Sequence, residues 1–330
     1  MREISRGVVV TLMLALGVAS PTSAQTSSTG AGQAWPMKPI HVIVPFAPGG
    51  PADIIARLTG QKLTEILGQQ VLVDNRAGAG GNIGTAAAAK SAPDGYTVLV
   101  TTSAFAVNAS LFPNAGYDAE RDFIPTAVVA TQPNLIVVNA GLPAKTLNEL
   151  LATAKTSKLP YASPGSGTTP HLTAENLFHV LAKLDTTPIH FRGAGPAVAA
   201  VVGGEPPVGC FAISGPLAQI KAGKLRALAV SSAQRLAALP DVPTLSELGF
   251  PSIQDYTWVA LFLPAGTPPE IVQKLNAGVN RAIQSTDMRE RLDTLAFEPV
   301  GGPQPQFADY VRAEIVKWAK VVQETGAKPD

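Results

Sequence analysis

The 330-residue chain has one cysteine, Cys210, which excludes an internal disulfide and any metal site built on clustered cysteines. Its four histidines, His41, His171, His179 and His190, lack close metal-ligand spacing, so no metal is expected. Charged residues are only 15% of the chain, and the net charge of +1 is carried wholly by Arg2, Arg6 and Glu3. The neutral remainder offers no electrostatic footprint for nucleic acid. Enzyme signatures are missing too. No Gly-Lys-Ser/Thr closes a phosphate loop. Gly78 and Gly80 begin a dinucleotide fingerprint, but Ile83 stands where its third glycine belongs and Gly84 comes one residue late. Ser166 lacks the five-residue Gly-x-Ser-x-Gly elbow of a hydrolase. His171 and His179, eight apart on one expected helix, read as surface or helix-start residues, and no cofactor is expected.

At the amino terminus, Arg2 and Arg6 precede an apolar run over residues 8–19 and then small residues ending at Ala24, the pattern of a secretory signal peptide over 1–24. That run is too short for a membrane anchor, which needs roughly 20 residues. No cysteine adjoins the cleavage point for lipid attachment. Residues 25–35 are rich in Ser, Thr and Gly and read as a flexible leader. About 295 residues then remain, above the size at which one hydrophobic core stops growing, so two lobes are expected.

From Ile40 onward, apolar β-rich runs alternate with helical patterns, which predicts an α/β fold with a parallel or mixed sheet covered by helices. Strands are expected at 40–44, 70–73, 96–101, 135–138, 159–162 and 225–231. Ile54, Ile55, Leu58, Leu63 and Ile66 recur at helical spacing, as do Phe307, Val311, Ile315, Trp318 and Val322 ahead of a stop at Gly326. Capping boxes predict helix starts at Thr146 with Glu149 and at Thr267 with Glu270.

Four Gly- or Pro-rich loops follow an expected strand and run into a helix: PFAPGGPAD at 45–53, NRAGAGGNIG at 75–84, SPGSGTTPH at 163–171 and RGAGP at 192–196. A helix N-terminus presents unpaired backbone N–H groups and a positive dipole end, so each loop can hold an anion without a charged side chain. Ser163, Ser166, Thr168 and Thr169 add hydroxyl donors. The plainer reading makes these ordinary tight turns, with Asp53 and Thr169 as N-caps.

Lys38-Pro-Ile together with VPFAPGGPAD at 44–53 resembles the amino-terminal signature of the tripartite tricarboxylate transporter solute-binding proteins, the Bug family. The resemblance continues through NRAGAGGNIG, APDGY at 92–96, IKAGKLRALAV at 220–230, LPDVPT at 239–244 and PAGTP at 264–268. It implies a two-lobed, type II periplasmic binding protein fold of the Venus-flytrap kind, with crossovers near 131–139 and 252–258. The lobes would be 36–134 plus 256–330, and 135–255. It further implies a non-enzymatic, monomeric protein that takes a small carboxylate and delivers it to a large and a small membrane subunit. The expected ligand-binding set is Phe46, Ala47, Gly49, Gly50, Pro51, Ala52, Asp53, Ser103, Ser163, Ser166, Thr168, Thr169, His171, Arg192, Gly193 and Ala194.

Departures from the family pattern fall in the expected cleft. Where members often read HVPYKG, this chain has PIHFRG at 188–193, so Phe191 loses a hydroxyl and Arg192 gains a planar fork for carboxylate. With Phe46, Phe105 and Trp258 near expected loops or hinges, a flat aromatic acid such as terephthalate joins the di- and tricarboxylates as a ligand class. A ligand sensor feeding a receptor, and less so a secreted hydrolase, are the alternative functions.

Overall fold

A computed structural model describes residues 35–329; the expected signal peptide and nearly all of the leader lie outside the described residues. In chain order the elements begin with β1 (Ile40–Val44), α1 (Pro51–Leu67), β2 (Val71–Asn75), α2 (Asn82–Ala89), β3 (Thr97–Thr102), α3 (Ala104–Leu111) and β4 (Phe123–Asn139). Then come α4 (Leu147–Ala154), β5 (Tyr161–Ser163), α5 (Thr169–Glu175), β6 (Pro188–His190), α6 (Ala194–Gly203), β7 (Val208–Ala212), α7 (Leu217–Lys221) and β8 (Leu225–Val230). The chain ends with β9 (Tyr256–Pro264), α8 (Pro269–Gln284), α9 (Thr286–Thr294), β10 (Glu298–Pro299) and α10 (Gln304–Thr325).

Strand parity builds two sheets, each buried on both faces. In β1, Ile40, Val42 and Val44 pack under α1 and α8, while Ile43 points to the opposite face under α3 and α10. In β4, Leu135 and Val137 meet α6 and α7, whereas Ile136 and Val138 meet α4. Successive strand side chains alternate faces, so four apolar layers cover two sheets. In the first sheet β2, β1 and β3 run parallel and β9 is antiparallel to β3 and β4. In the second, β5 lies parallel to β6 and β7, while β7 and β8 are antiparallel to β4.

The 17-residue β4 belongs to both sheets. Its residues 123–133 pair with β9, and residues 134–139 pair with β7 and β8. Sequence reading found only 135–138, because Pro125 and Pro133 interrupt the run and proline is poorly placed inside a sheet. The register shifts beside Pro125, a bulge that accommodates it.

Helix starts differ from expectation in three places. The cap of α1 is Gly50, not Asp53, whose Oδ2 instead accepts the Gly49 N–H at 3.0 Å from within the first turn. Thr168 rather than Thr169 caps α5, accepting the His171 N–H. At α8 the expected box does not form: Pro268 occupies the cap and the Thr267 hydroxyl donates to the Pro264 carbonyl at 2.7 Å. Half of the box at α4 forms: Thr146 Oγ1 accepts from Glu149 N, but Glu149 Oε2 accepts from Lys145 N rather than from the cap's own N–H. α10 carries the expected stripe of Phe307, Val311 and Trp318 and stops at left-handed Gly326.

Candidate functional site

The loop between β1 and α1 is braced by Asp53. Its carboxylate accepts from Gly49 N, from Arg57 Nε at 3.0 Å and from Asn75 Nδ2 at 3.1 Å. Asn75 also donates to the Phe46 carbonyl at 2.9 Å. Burial works against ionisation of Asp53, but the hydrogen bonds from Arg57, Gly49 and Asn75 outweigh it and hold the carboxyl below its usual 3.8. The loop is therefore set in shape by an anion that it does not offer to a ligand.

Facing it, the chain leaves β6 through Arg192 and Gly193 and enters α6. The Ala47 N–H donates to the Arg192 carbonyl at 2.8 Å, bridging the two sheets' loops. The approach is close: a Cβ placed on Gly50 would lie 3.4 Å from the Ala194 Cβ. The N-termini of α1 and α6 thus oppose each other. First-turn N–H groups have no partner within a helix, and both dipoles present their positive ends here.

Between these ends and the loop capping α5 lies a small cavity with about 30 Å³ of water-accessible space, walled by Phe46, Gly50, Ala52, Thr168, Ala194 and Thr257. By the roughly 10–15 Å³ that one water requires, that is room for about two waters. No residue in its wall is charged. A wider cleft of about 370 Å³ adjoins it across Phe46, where Gly80, Gly165, Ser166 and Arg192 meet. There the loops touch again: a Cβ on Gly80 would sit 2.1 Å from the Ser166 carbonyl oxygen.

The expected binding residues sort by position. Phe46, Gly50, Pro51, Ala52, Thr168 and Ala194 line the small cavity. Ala47, Gly49, Asp53 and Gly193 shape the loops around it. The Ser163 hydroxyl donates to the Gly165 carbonyl within its own loop. Ser166 and the exposed Arg192 face the wider cleft instead, so the guanidinium does not enter the small cavity. His171 stands at the start of α5 as one expectation had it, but not on the surface: it is 2% exposed, accepts the Gly167 N–H on Nδ1 at 3.2 Å and packs edge-on to His190. Burial first, then the neighbouring imidazoles of His190 and His179, push its pKa down to about 3, so it is a neutral acceptor. Phe105 and Trp258 are also corrected. Phe105 stacks on Phe262 at 4.3 Å in the core, and the Trp258 indole donates to buried Glu314 at 3.0 Å.

Ser103 and Thr169, both expected to bind ligand, line neither the small cavity nor the wider cleft and instead belong to a constellation the sequence reading did not foresee. Ser103 Oγ lies 3.1 Å from Thr169 Oγ1, which lies 2.6 Å from Thr257 Oγ1. Thr257 donates to Asn134 Oδ1 at 2.9 Å, Asn134 Nδ2 donates to Thr173 at 2.9 Å, and Thr173 donates to Asp255 Oδ2 at 3.1 Å. This buried chain links the start of α3, α5, β4 and β9 at the point where β4 changes sheets. Its spacing in sequence carries no local signal, since its members meet only through the fold.

Among the described residues no three His, Cys, Asp or Glu gather as a metal site, and no helix is long and apolar enough to cross a membrane. Residues 55–327 match the family model described as tripartite tricarboxylate transporter family receptor. BugT of Bordetella pertussis is 39% identical over 316 residues, covering 94% of each chain. The periplasmic binding protein BugD superposes with a TM-score of 0.86 at 30% identity over 90% of this chain and 100% of its own. Rpa4515 of R. palustris, solved with adipate, gives 0.86 at 32% identity over 90% and 100%, and MatC of Rhodopseudomonas palustris, with bound malate, gives 0.83 at 35% over 87% and 100%. The two sheets are thus the two lobes of a periplasmic binding protein fold, and the chain belongs to the tripartite tricarboxylate transporter receptor family, a family of periplasmic solute-binding proteins rather than enzymes.

Proposed function

We propose that the chain is exported by its signal peptide at 1–24, captures a small aliphatic carboxylate between its lobes as a monomer, and delivers it to the large and small membrane subunits of a tripartite transporter. The lobes are residues 36–134 plus 256–330, and 135–255, with the chain crossing at Asn134 and through 252–258. The observation that carries the reading is the uncharged cavity on which the N-termini of α1 and α6 converge from opposite lobes. A carboxylate there would accept backbone N–H bonds in a dry site, where such charge-assisted bonds are strongest. Malate and adipate bound to relatives at 35% and 32% identity support the ligand class. An aromatic acid such as terephthalate retains Phe46, Phe191 and the exposed Arg192 around the wider cleft but loses Phe105 and Trp258, which are core residues.

In the proposed cycle an open cleft takes the acid on the first lobe and the second lobe then closes. A thermal-shift panel of aliphatic mono-, di- and tricarboxylates, terephthalate and amino acids tests the capture step. A ligand at 100 times its Kd raises stability by about 2.7 kcal/mol. The reading fails if no acid in the panel raises the melting temperature.

A further inference from the structure

The direction of every hydrogen bond in the buried chain follows from donor counting. A hydroxyl has one proton to give and two lone pairs to receive. Thr257 spends its proton on Asn134 Oδ1, so the 2.6 Å contact with Thr169 must be a donation from Thr169. Thr169 has then spent its own proton, and the 3.1 Å contact from Ser103 must be a donation from Ser103. The Asn134 amide is oriented by its Nδ2, which donates to Thr173 and leaves the Thr173 proton for Asp255 Oδ2, shared with the Thr169 carbonyl. Turning that amide over would spend the Thr173 proton on Asn134 and take from the buried Asp255 the hydroxyl that donates to it. All protons therefore point away from the cavity and toward Asp255.

Thr257 is the member of this chain that lines the cavity, and it has a lone pair to offer but no proton. Thr168, also in the wall, is in the same condition: its hydroxyl donates to the Gly165 carbonyl at 2.8 Å and accepts from His171 N. Thr102, the third hydroxyl of the wall, accepts from Ala104 N and keeps its proton. The wall thus combines two kinds of polar group. The N-termini of α1 and α6 bring N–H donors to it, and of its three hydroxyls Thr168 and Thr257 can only accept while Thr102 can still donate.

Resting on the carboxylate-capture reading, we infer that the cavity selects a short carboxylate bearing its own hydrogen-bond donor, a hydroxyl or an ammonium group. The carboxylate meets the two helix ends and the donor meets Thr257 and Thr168. An unsubstituted acid leaves those lone pairs unmatched in a dry site, and a carboxylate pressed against them is repelled.

Matched pairs of acids on the unmodified full-length protein provide the test: lactate against propionate, malate against succinate, aspartate against succinate, and 4-hydroxybutyrate against butyrate, each titrated calorimetrically. The donor-bearing acid of at least one pair should bind about tenfold tighter, the value of one buried hydrogen bond that would otherwise be unmade. Thr257→Val should cut that preference to about twofold or less while Thr257→Ser keeps it, by the same reasoning. Equal or tighter binding of the unsubstituted acid in every pair overturns the inference and leaves carboxylate capture standing. A full preference retained in a folded Thr257→Val overturns the role of the chain. Failure of all these acids, adipate and terephthalate to bind removes the capture reading itself, and the inference with it. If Thr257→Val does not fold, the pairs on the unmodified protein decide alone.

Discussion

Gly195 offers a way to block closure without touching the fold of either lobe. It is the second residue of α6 and its backbone lies outside the left-handed region, so alanine is conformationally acceptable there. Alanine is also the better helix former, by up to about 1 kcal/mol in a helix interior. The obstacle lies across the cleft: a Cβ on Gly195 would stand 2.2 Å from the Pro48 carbonyl oxygen, on the loop entering α1. Ordinary contact requires the loops to part by about 1 Å. That separation stretches the 2.8 Å bond from Ala47 N to the Arg192 carbonyl beyond hydrogen-bonding range. Leaving its two ends poorly paired costs about 1–3 kcal/mol, a loss of roughly 5- to 150-fold in affinity. Gly195→Ala should therefore melt, without ligand, at the temperature of the unmodified protein or slightly above it. With the acid that best stabilises the unmodified protein, it should bind more weakly by calorimetry and contract less by small-angle scattering. A variant that binds within about twofold of the original and contracts equally would refute the idea that these loops meet only on closure.

Other predictions concern groups buried away from the cavity. Glu314, 6% exposed, accepts both the Trp258 and Trp318 indole N–H groups at 3.0 and 2.9 Å. Glu314→Ala should cost about 3 kcal/mol in denaturant unfolding and Glu314→Gln clearly less, since the amide oxygen still accepts; equal costs would sink this account. Burial, aided by Glu314 and opposed by Lys317 and Thr173, raises the Asp255 carboxyl above its usual 3.8. Its ionised form is thus disfavoured in the fold, and stability is lost as pH rises through the raised value. Asp255→Asn should stabilise at neutral pH, with the gain fading on acidification and gone below 3.8; a melting-temperature gain that grows toward acid would contradict it. Burial also pushes the Cys210 thiol well above its usual 9.0, so a thiol reagent should label the protein only after unfolding. Rapid labelling of native protein would place the residue elsewhere.

Much of this was legible in the chain itself where local pattern decides structure. β1, α1, the capped start of α4 and the stripe of α10 were all readable from periodicity and turn residues. β9 was not, because Thr257 through Pro264 are all buried and a strand covered on both faces shows no alternation of polar with apolar. The cost of that gap is visible at two adjacent residues. Trp258 belongs to the face under α10, and Thr257, one position earlier, belongs to the cavity. Strand parity separates them, and parity is set by pairing with β4, whose own register shifts twice. The loops announced themselves by glycine and proline, but which of their residues face the ligand depends on the opposing lobe. Arg192 shows this: the side chain that drew notice faces the wider cleft, and its backbone carbonyl holds the loops together.

The facing helix ends give the proposed cycle its coupling. Each N-terminus carries roughly half a positive charge from its macrodipole. The Gly50 end of α1 and the Ala194 end of α6 are in contact distance, so bringing them together without an anion sets two like partial charges against each other. The first lobe alone cannot cancel this, because the Asp53 carboxylate is already committed to Gly49, Arg57 and Asn75. A carboxylate placed between the ends turns that repulsion into two attractions. Its binding energy is then stronger in the closed form than in the open one, which is the condition for a ligand to drive a conformational equilibrium. A neutral molecule of the same shape, such as the amide of a bound acid, would fill the space but lack this difference. It should therefore bind weakly and leave the scattering radius of the open protein unchanged, and contraction by the amide would show that shape rather than charge closes the lobes.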